Sequence, residues 1–372
     1  MKRPFLFSVT LLFSFSVIHS LAQPSFTGLE RVLKTPRHYV ACYTTESPVI
    51  DGNISDVVWE NAVWSEFFRN IEGDLKPEPP LRTRMKMLWD DQYLYIAAEL
   101  EEPHVWAYLE NHDDIVYHDN DFEIFIDPEN TAHQYFEIEF NARNTVLDLF
   151  MTKPYRNGGG ALISWDVIGM KSAVQVQGSL NNASDTDKCW TVEIAIPISA
   201  VTFYNSSVRP RDGRIWRINF SRVEWHTDII DGKYVRRKDG SGRNLPEENW
   251  VWSPQGIINM HAPETWGYLQ FSKETKQADA PQFAMPYSEK QRPYLWLIYH
   301  RQKEYFGKNR KYASTLAELG IQPSVFNIDG KENTLSMEAT DRQFSAVIES
   351  AESRISINDE GLARAAGMRR NE

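Results

Sequence analysis

Cysteine is nearly missing from this chain, which has only Cys42 and Cys189 among 372 residues. Two thiols are too few for a sulfur-bound zinc site or a disulfide-dense scaffold, so the fold must rest on a buried apolar core. Both sit in strand-like phrases, YVACYT and DKCWTVEIAI, where they could close one bridge across a long loop or stay as separate buried thiols. A cationic surplus is missing too. Forty Lys and Arg against 51 Asp and Glu leave a formal charge of -11, which disfavours a phosphate backbone as partner. The basic clusters RPRDGR, around Arg209, and YVRRK, around Arg236, read as solvated loop tips. Beyond residue 22 no apolar stretch approaches the ~20 residues of a membrane-spanning helix. There is no C-x-x-C-H haem attachment, no G-x-S-x-G nucleophile elbow and no EF-hand loop spacing.

The start is patterned for export. MKRPFLFSVTLLFSFSVIHSLAQ places Lys2 and Arg3 before an apolar run from Phe5 to Ile18, with small residues Ser20 and Ala22 ahead of a cleavage point. Residues 1–22 are therefore expected to be a signal peptide and the mature chain to begin near Gln23, in the periplasm or outside the cell. No Cys follows Ala22, so a lipid anchor is not indicated.

Period-two alternation dominates residues 39–272 and predicts a mainly β fold, an antiparallel β-sandwich. MKMLW and YLYIAAEL flank a turn, with Met85, Met87 and Trp89 on one face. DFEIFID and YFEIEFN put Phe122, Ile124, Ile126, Phe136, Ile138 and Phe140 inward and Glu123, Glu137 and Glu139 outward. A helix is expected after DGNISD, over Val58, Trp59, Ala62 and Val63, as a lid on one end of the sandwich. Residues 273–290 read as a polar linker. Residues 291–365 read as a small α+β module, with a helix whose stripe is Leu295, Ile298, Tyr305 and Phe306 and four short strands. That module is a candidate docking site for a protein partner, and the tail GMRRNE reads as frayed.

The phrases VIDGNISDVVWENAVW, LWDDQYLYIAAEL, HDNDFEIFIDPENTAHQYFEIEFNARNTVLDLFMTKPYRNGGG, DKCWTVEIAIP, WRINFSRVEW and ENWVWSPQGIINMHAPETWGYLQF, in that order, resemble the family 9 carbohydrate-binding modules, in the DOMON-like branch of secreted bacterial proteins. The resemblance implies a sandwich that binds an oligosaccharide or polysaccharide between two aromatic side chains, with bound calcium. Indole is a good flat plate for the C–H faces of a sugar ring, and the Pro- and Gly-rich segment 248–268 holds Trp250 and Trp252 where loops could aim them outward. Trp106 or Tyr117 would supply the opposing plate. For each aromatic the core is the alternative placement, and Trp59, Trp64, Trp89 and Trp190 are assigned to it. Glu123 and Arg222 are candidate partners for sugar hydroxyls, with an internal ion pair as the alternative for Arg222. Weaker candidates are Asn141, Asp148, Tyr155, His261 and Glu264.

HDDIVYHDNDFEIFID is rich in carboxylates, and Asp119, Asp121 and Asp127 are the candidate ligands for a structural Ca²⁺. A solvated acidic turn is the alternative. Two other functions compete. A glycoside hydrolase would use a pair among Glu123, Glu137, Glu139 and Asp148. A haem-binding DOMON-type domain would use Met151, Met170 or Met260 with His118 or His261.

Overall fold

The computed structural model describes residues 23–203 and 205–365, so the segment 1–22 expected to be a signal peptide and the tail GMRRNE lie outside the described residues. The first part of the chain supplies β1 (His38–Tyr43), β2 (Arg69–Asn70), β3 (Thr83–Trp89), β4 (Tyr93–Glu101), β5 (Asp121–Asp127), β6 (Tyr135–Asn141), β7 (Val146–Met151), β8 (Ala161–Leu162), β9 (Lys171–Gln177) and β10 (Cys189–Pro197). After a short helix α1 (Ile198–Thr202) come β11 (Ile215–Glu224), β12 (Thr227–Ile230), β13 (Lys233–Arg236), β14 (Glu248–Val251) and β15 (Gly267–Ser272).

All but the β12–β13 hairpin join one sheet, whose main path is β8-β7-β6-β5-β11-β15-β1-β3-β4-β10-β9, with β14 and β2 branching from β11. The sheet curls into a sandwich. Met85, Met87, Trp89, Ile194 and Ile196 from one half meet Phe122, Ile124, Ile138, Phe140, Ile218 and Phe220 from the other, as the alternation predicts. The pairing departs from the purely antiparallel expectation at β1, which runs parallel to β15 and to β3. Both connections are long enough for parallel pairs, which cannot be joined by tight hairpins. Cys42 and Cys189 are free buried thiols on β1 and β10, three strands apart in the sheet order and so well beyond disulfide reach.

The helix expected after DGNISD is a single 3₁₀ turn, Val57–Asn61. It packs on the outer face of the sheet instead of closing an end. The Trp59 indole is buried among Leu88, Tyr95 and Ala97 and donates to Glu193 Oε1 at 2.7 Å. One anchored indole and two β-branched neighbours leave no apolar stripe for a longer helix. Trp64, expected in the core, is only half-buried, with the Arg84 guanidinium 4.2 Å from its ring centroid.

The C-terminal module is α2 (Tyr287–Asn309) laid on a meander of β16 (Val325–Ile328), β17 (Lys331–Ala339), β18 (Phe344–Glu349), β19 (Arg354–Asn358) and β20 (Ala363–Ala365). The stripe of α2 is spent inside the chain: Leu295 and Ile298 are fully buried, and Tyr305 and Phe306 pack on the same core. Ala132 of the sandwich and Phe26 of the N-terminal segment complete that core. The last residues of the predicted linker form the first turn of α2, where Glu289 takes hydrogen bonds from Arg292 (2.8 Å), Asn130 (2.8 Å), Tyr268 (3.1 Å) and Arg217 (3.3 Å). Among the described residues no helix is long and apolar enough to cross a membrane.

The Pro- and Gly-rich segment 248–268 is a cover for the sandwich, and its tryptophans point inward. Trp252 is fully buried in the central core, edge-on to Phe220. Its ring lies where a side chain at residue 267 would be, since a Cβ on Gly267 would fall 2.2 Å from the indole. Gly267→Ala is therefore expected to lower stability by ~1–3 kcal/mol through overpacking. Chemical denaturation measures this, and a variant as stable as the parent would mean that the indole moves aside freely.

Candidate functional site

β5 and β6 pair Glu123 with Glu139 and Phe125 with Glu137, so three carboxylates share the face turned away from the central core. Alternation alone makes that face solvated. It is instead covered by a second apolar layer in which Trp266 packs on Phe125 and Tyr135, beside Val116, Leu147 and Leu149. Asp121, Glu123 and Glu139 are buried with carboxylate oxygens within 4.8 Å of one another.

The resulting cleft has a volume of about 340 Å³, at the small end of the ~300–1,000 Å³ of small-ligand sites. Its floor is Glu123, Glu137 and Glu139, and its mouth is lined by Tyr117, Tyr155, Ile115 and Ile163. Tyr117 and Tyr155 are 39% and 51% exposed, unlike the buried aromatics behind them. Tyr155 stands edge-on to His261, with ring centroids 4.6 Å apart.

Burial raises the Glu123, Glu137 and Glu139 carboxyls above the usual carboxylate range, and the Glu123 charge pushes the latter two further. Asp121 is raised by burial and then by Glu123 and Glu139. No cation faces this floor within ion-pair distance among the described residues except His261, whose Nε2 is 3.9 Å from Glu137. Burial, helped by the charge of Arg156, lowers that imidazole to about 4, so it is neutral near pH 7. Its Nδ1 is 2.9 Å from the Tyr135 hydroxyl. One oxygen each of Asp121 and Glu123 is buried with no hydrogen-bond donor, while Glu139 accepts from the Tyr117 amide at 2.9 Å. Of the three floor residues only Glu123 has a buried oxygen in want of a donor.

Of the residues singled out from the sequence, Tyr117 and Glu123 line this cleft, as do the weaker candidates Tyr155 and His261. The others lie elsewhere. Trp106 packs on Val223, Trp225 and Tyr234 and is 4% exposed. Trp250 is equally buried, its ring under Arg222 at 5.1 Å. Arg222 is a structural ion pair, donating to Glu102 (2.8 Å), Glu224 (2.7 Å) and the Glu101 carbonyl (2.8 Å). Glu264 is buried against Arg156 at 2.7 Å.

Asp119, Asp121 and Asp127 do not converge on one cation. Asp119 accepts from the Tyr108 and Leu109 amides and from Asn141, and Asp127 from the Glu129 and Ala132 amides. With two of the three engaged in holding turns, this set does not fit a Ca²⁺ site. Glu137 and Glu139 were legible as strand residues, but their gathering under a cover was not.

A second cleft of about 420 Å³ lies where residues 31–36, 254–265 and α2 meet. Its carboxylates Glu264, Glu289 and Asp329 are ion-paired with Arg156, with Arg217 and Arg292, and with Lys290. Although Glu264 Oε1 and Gln255 Oε1 are buried without partners, its aromatic residues Tyr268, Tyr294 and Trp296 are buried and present no open ring face.

The curled sandwich with an aromatic-rimmed cleft on one face has the architecture of a small-ligand-binding module. Residues 50–220 match the family model described as carbohydrate family 9 binding domain-like. A family 9 carbohydrate-binding module from Caldicellulosiruptor kristjanssonii, solved with cellotriose, is 18% identical with a TM-score of 0.38, covering 67% of this chain and 100% of that one. The module from the same organism solved with glucose gives 17%, 0.38, 67% and 100%. A candidate carbohydrate-binding protein from Bacteroides uniformis gives 19%, 0.45, 64% and 100%. No curated protein matches the sequence.

Proposed function

We propose that the protein is a noncatalytic saccharide binder, exported and serving polysaccharide utilisation, with the Tyr117–Tyr155 cleft as its site. The observation that carries this reading is two exposed tyrosine rings flanking a floor of buried carboxylates, of which Glu123 has an oxygen that lacks a donor. A sugar offers both complements, C–H faces for the rings and O–H donors for the oxygens. The match of residues 50–220 to the family 9 model supports it, and the patterned N terminus supports export. A net charge of -11 argues against nucleic acid as the ligand.

Hydrolysis fits the geometry less well. One oxygen each of Glu123 and Glu139 lies within 4.8 Å of the other, too close for the water that the ~6.5–9.5 Å of an inverting pair accommodates. Asp148 belongs to a different cluster. For haem, the two nitrogens of His261 already face Tyr135 and Glu137.

Calorimetric titration with a panel of glucans, xylans and host oligosaccharides tests the proposal. Affinity is expected in the ~micromolar to millimolar range, since a small polar ligand makes few desolvated contacts. Tyr117→Ala and Tyr155→Ala are each expected to weaken binding about 10-fold, the loss of one stacking face, with unchanged melting. If both bind every sugar as the parent does, the cleft is not the site.

A further inference from the structure

A second polar cluster sits behind the cleft wall and plays no part in the site above. His112, Asp113, Asp148 and Asp166 come from three places, the loop before β5, the middle of β7 and the loop after β8. Their ligand-type atoms all lie within 4.8 Å of one another. His112 Nε2 is 3.1 Å from Asp166 Oδ1, 3.6 Å from Asp113 Oδ1 and 3.6 Å from Asp148 Oδ1.

Two of these oxygens point to a ligand independently of the clustering. Asp148 is 2% exposed, and its Oδ2 accepts from the Val167 amide while Oδ1 is buried with no hydrogen-bond partner. Asp113 Oδ1 is also buried and unpartnered. A buried carboxylate oxygen without a donor costs ~1–3 kcal/mol or more, so both oxygens are aimed at a positive centre.

We propose that His112, Asp113, Asp148 and Asp166 form a binding site for one divalent cation of the zinc class, ligated by one imidazole nitrogen and three carboxylate oxygens. Four ligands placed tetrahedrally at ~2.0–2.1 Å from Zn²⁺ stand roughly 3.3 Å apart, and the observed 3.1–3.6 Å contacts to His112 bracket that value. Ca²⁺ is the poorer fit, because it takes 6–8 ligands, all oxygen, whereas imidazole selects zinc-like ions. The ion would tie the loop before β5 to the loop after β8 across β7. Ile115 and Ile163 on those loops, with Leu147 and Leu149 on either side of Asp148, line the saccharide cleft, so the ion would brace one of its walls. Only this bracing role rests on the saccharide reading. Metal uptake is read without sugar and stands or falls separately.

The test is calorimetric titration of the untagged, chelator-treated chain with Zn²⁺, and with Ca²⁺ in parallel. One Zn²⁺ per chain is expected, bound at least about 10-fold more tightly than Ca²⁺. His112→Ala and Asp166→Ala remove ligands whose side chains are 55% exposed, so the fold should survive, as thermal melting would verify. Each is expected to weaken Zn²⁺ binding by at least about 10-fold, since even outer-shell changes cost 10–100-fold. Absence of Zn²⁺ uptake, a preference for Ca²⁺, or parental Zn²⁺ affinity in both variants would overturn the assignment.

Discussion

Glu139→Gln is expected to make the protein more stable and a weaker binder of its ligand. In the parent, burial and the facing charges of Glu123 and Glu137 raise the Glu139 carboxyl well above its ordinary range. A carboxyl whose pKa is raised by folding binds protons more tightly in the folded state. Stability is therefore highest at low pH, and it falls as pH rises through the folded pKa. Glutamine keeps the shape and the acceptor for the Tyr117 amide but removes the charge. Relief of this burial penalty is expected to raise the melting temperature at neutral pH and to flatten the fall of stability above the ordinary carboxylate range. Saccharide affinity should drop about 10-fold, because the glutamine N–H₂ replaces one acceptor oxygen at the floor and a neutral hydrogen bond contributes ~0.5–1.5 kcal/mol. Melting curves across pH, paired with calorimetry, measure both. A variant less stable than the parent at neutral pH, with the loss appearing only in calcium buffer, would show that the floor holds a cation instead of sugar hydroxyls.

The largest stability loss is expected at Glu289→Ala. This carboxylate is buried, and although burial opposes its ionisation, Arg292 and Arg217 outweigh that and hold its pKa below the usual value. Removing it strands the Arg217 guanidinium, which is 4% exposed, and takes a partner from Arg292, Asn130 and Tyr268 at the seam between sandwich and α2. Leaving a buried charge uncompensated costs ~3–5 kcal/mol. The pH dependence has the opposite sign to that of the cleft floor. A depressed carboxyl contributes stability above its unfolded pKa and loses it as pH falls through the lower folded value. Urea unfolding would report the change, and a single transition displaced by less than ~1 kcal/mol would refute the account.

Most strands were legible because alternation is a local property, and β5, β6 and β10 need nothing beyond their own residues to be drawn. What a strand's second face meets is decided by distant chain. Glu123, Glu137 and Glu139 therefore read as a solvated face until the 248–268 segment is laid over it. The indoles in that segment read as outward plates for a similar reason. The clue to Trp252 was a glycine at residue 267, fifteen positions away, and only a structure shows that the two compete for one space. The parallel placement of β1 leaves no mark on its own six residues. Tyr155 was only a weak candidate, since the phrase KPYRNGGG carries no periodicity to orient it. Glu123 was singled out within a phrase that carried the family resemblance, and Tyr117 as the end of the loop just before it.

The position of Phe26 bears on how the molecule is made. Its ring lies edge-on to Tyr294, Gln23 reaches the Asn327 carbonyl at 2.8 Å, and Arg301 donates to the Thr27 carbonyl. The earliest described residues thus wait for partners that the ribosome adds some 300 positions later. Such distant pairing delays completion of the last hydrophobic cluster until nearly the whole polypeptide is available, and a chain threaded through a membrane would finish folding only on the far side.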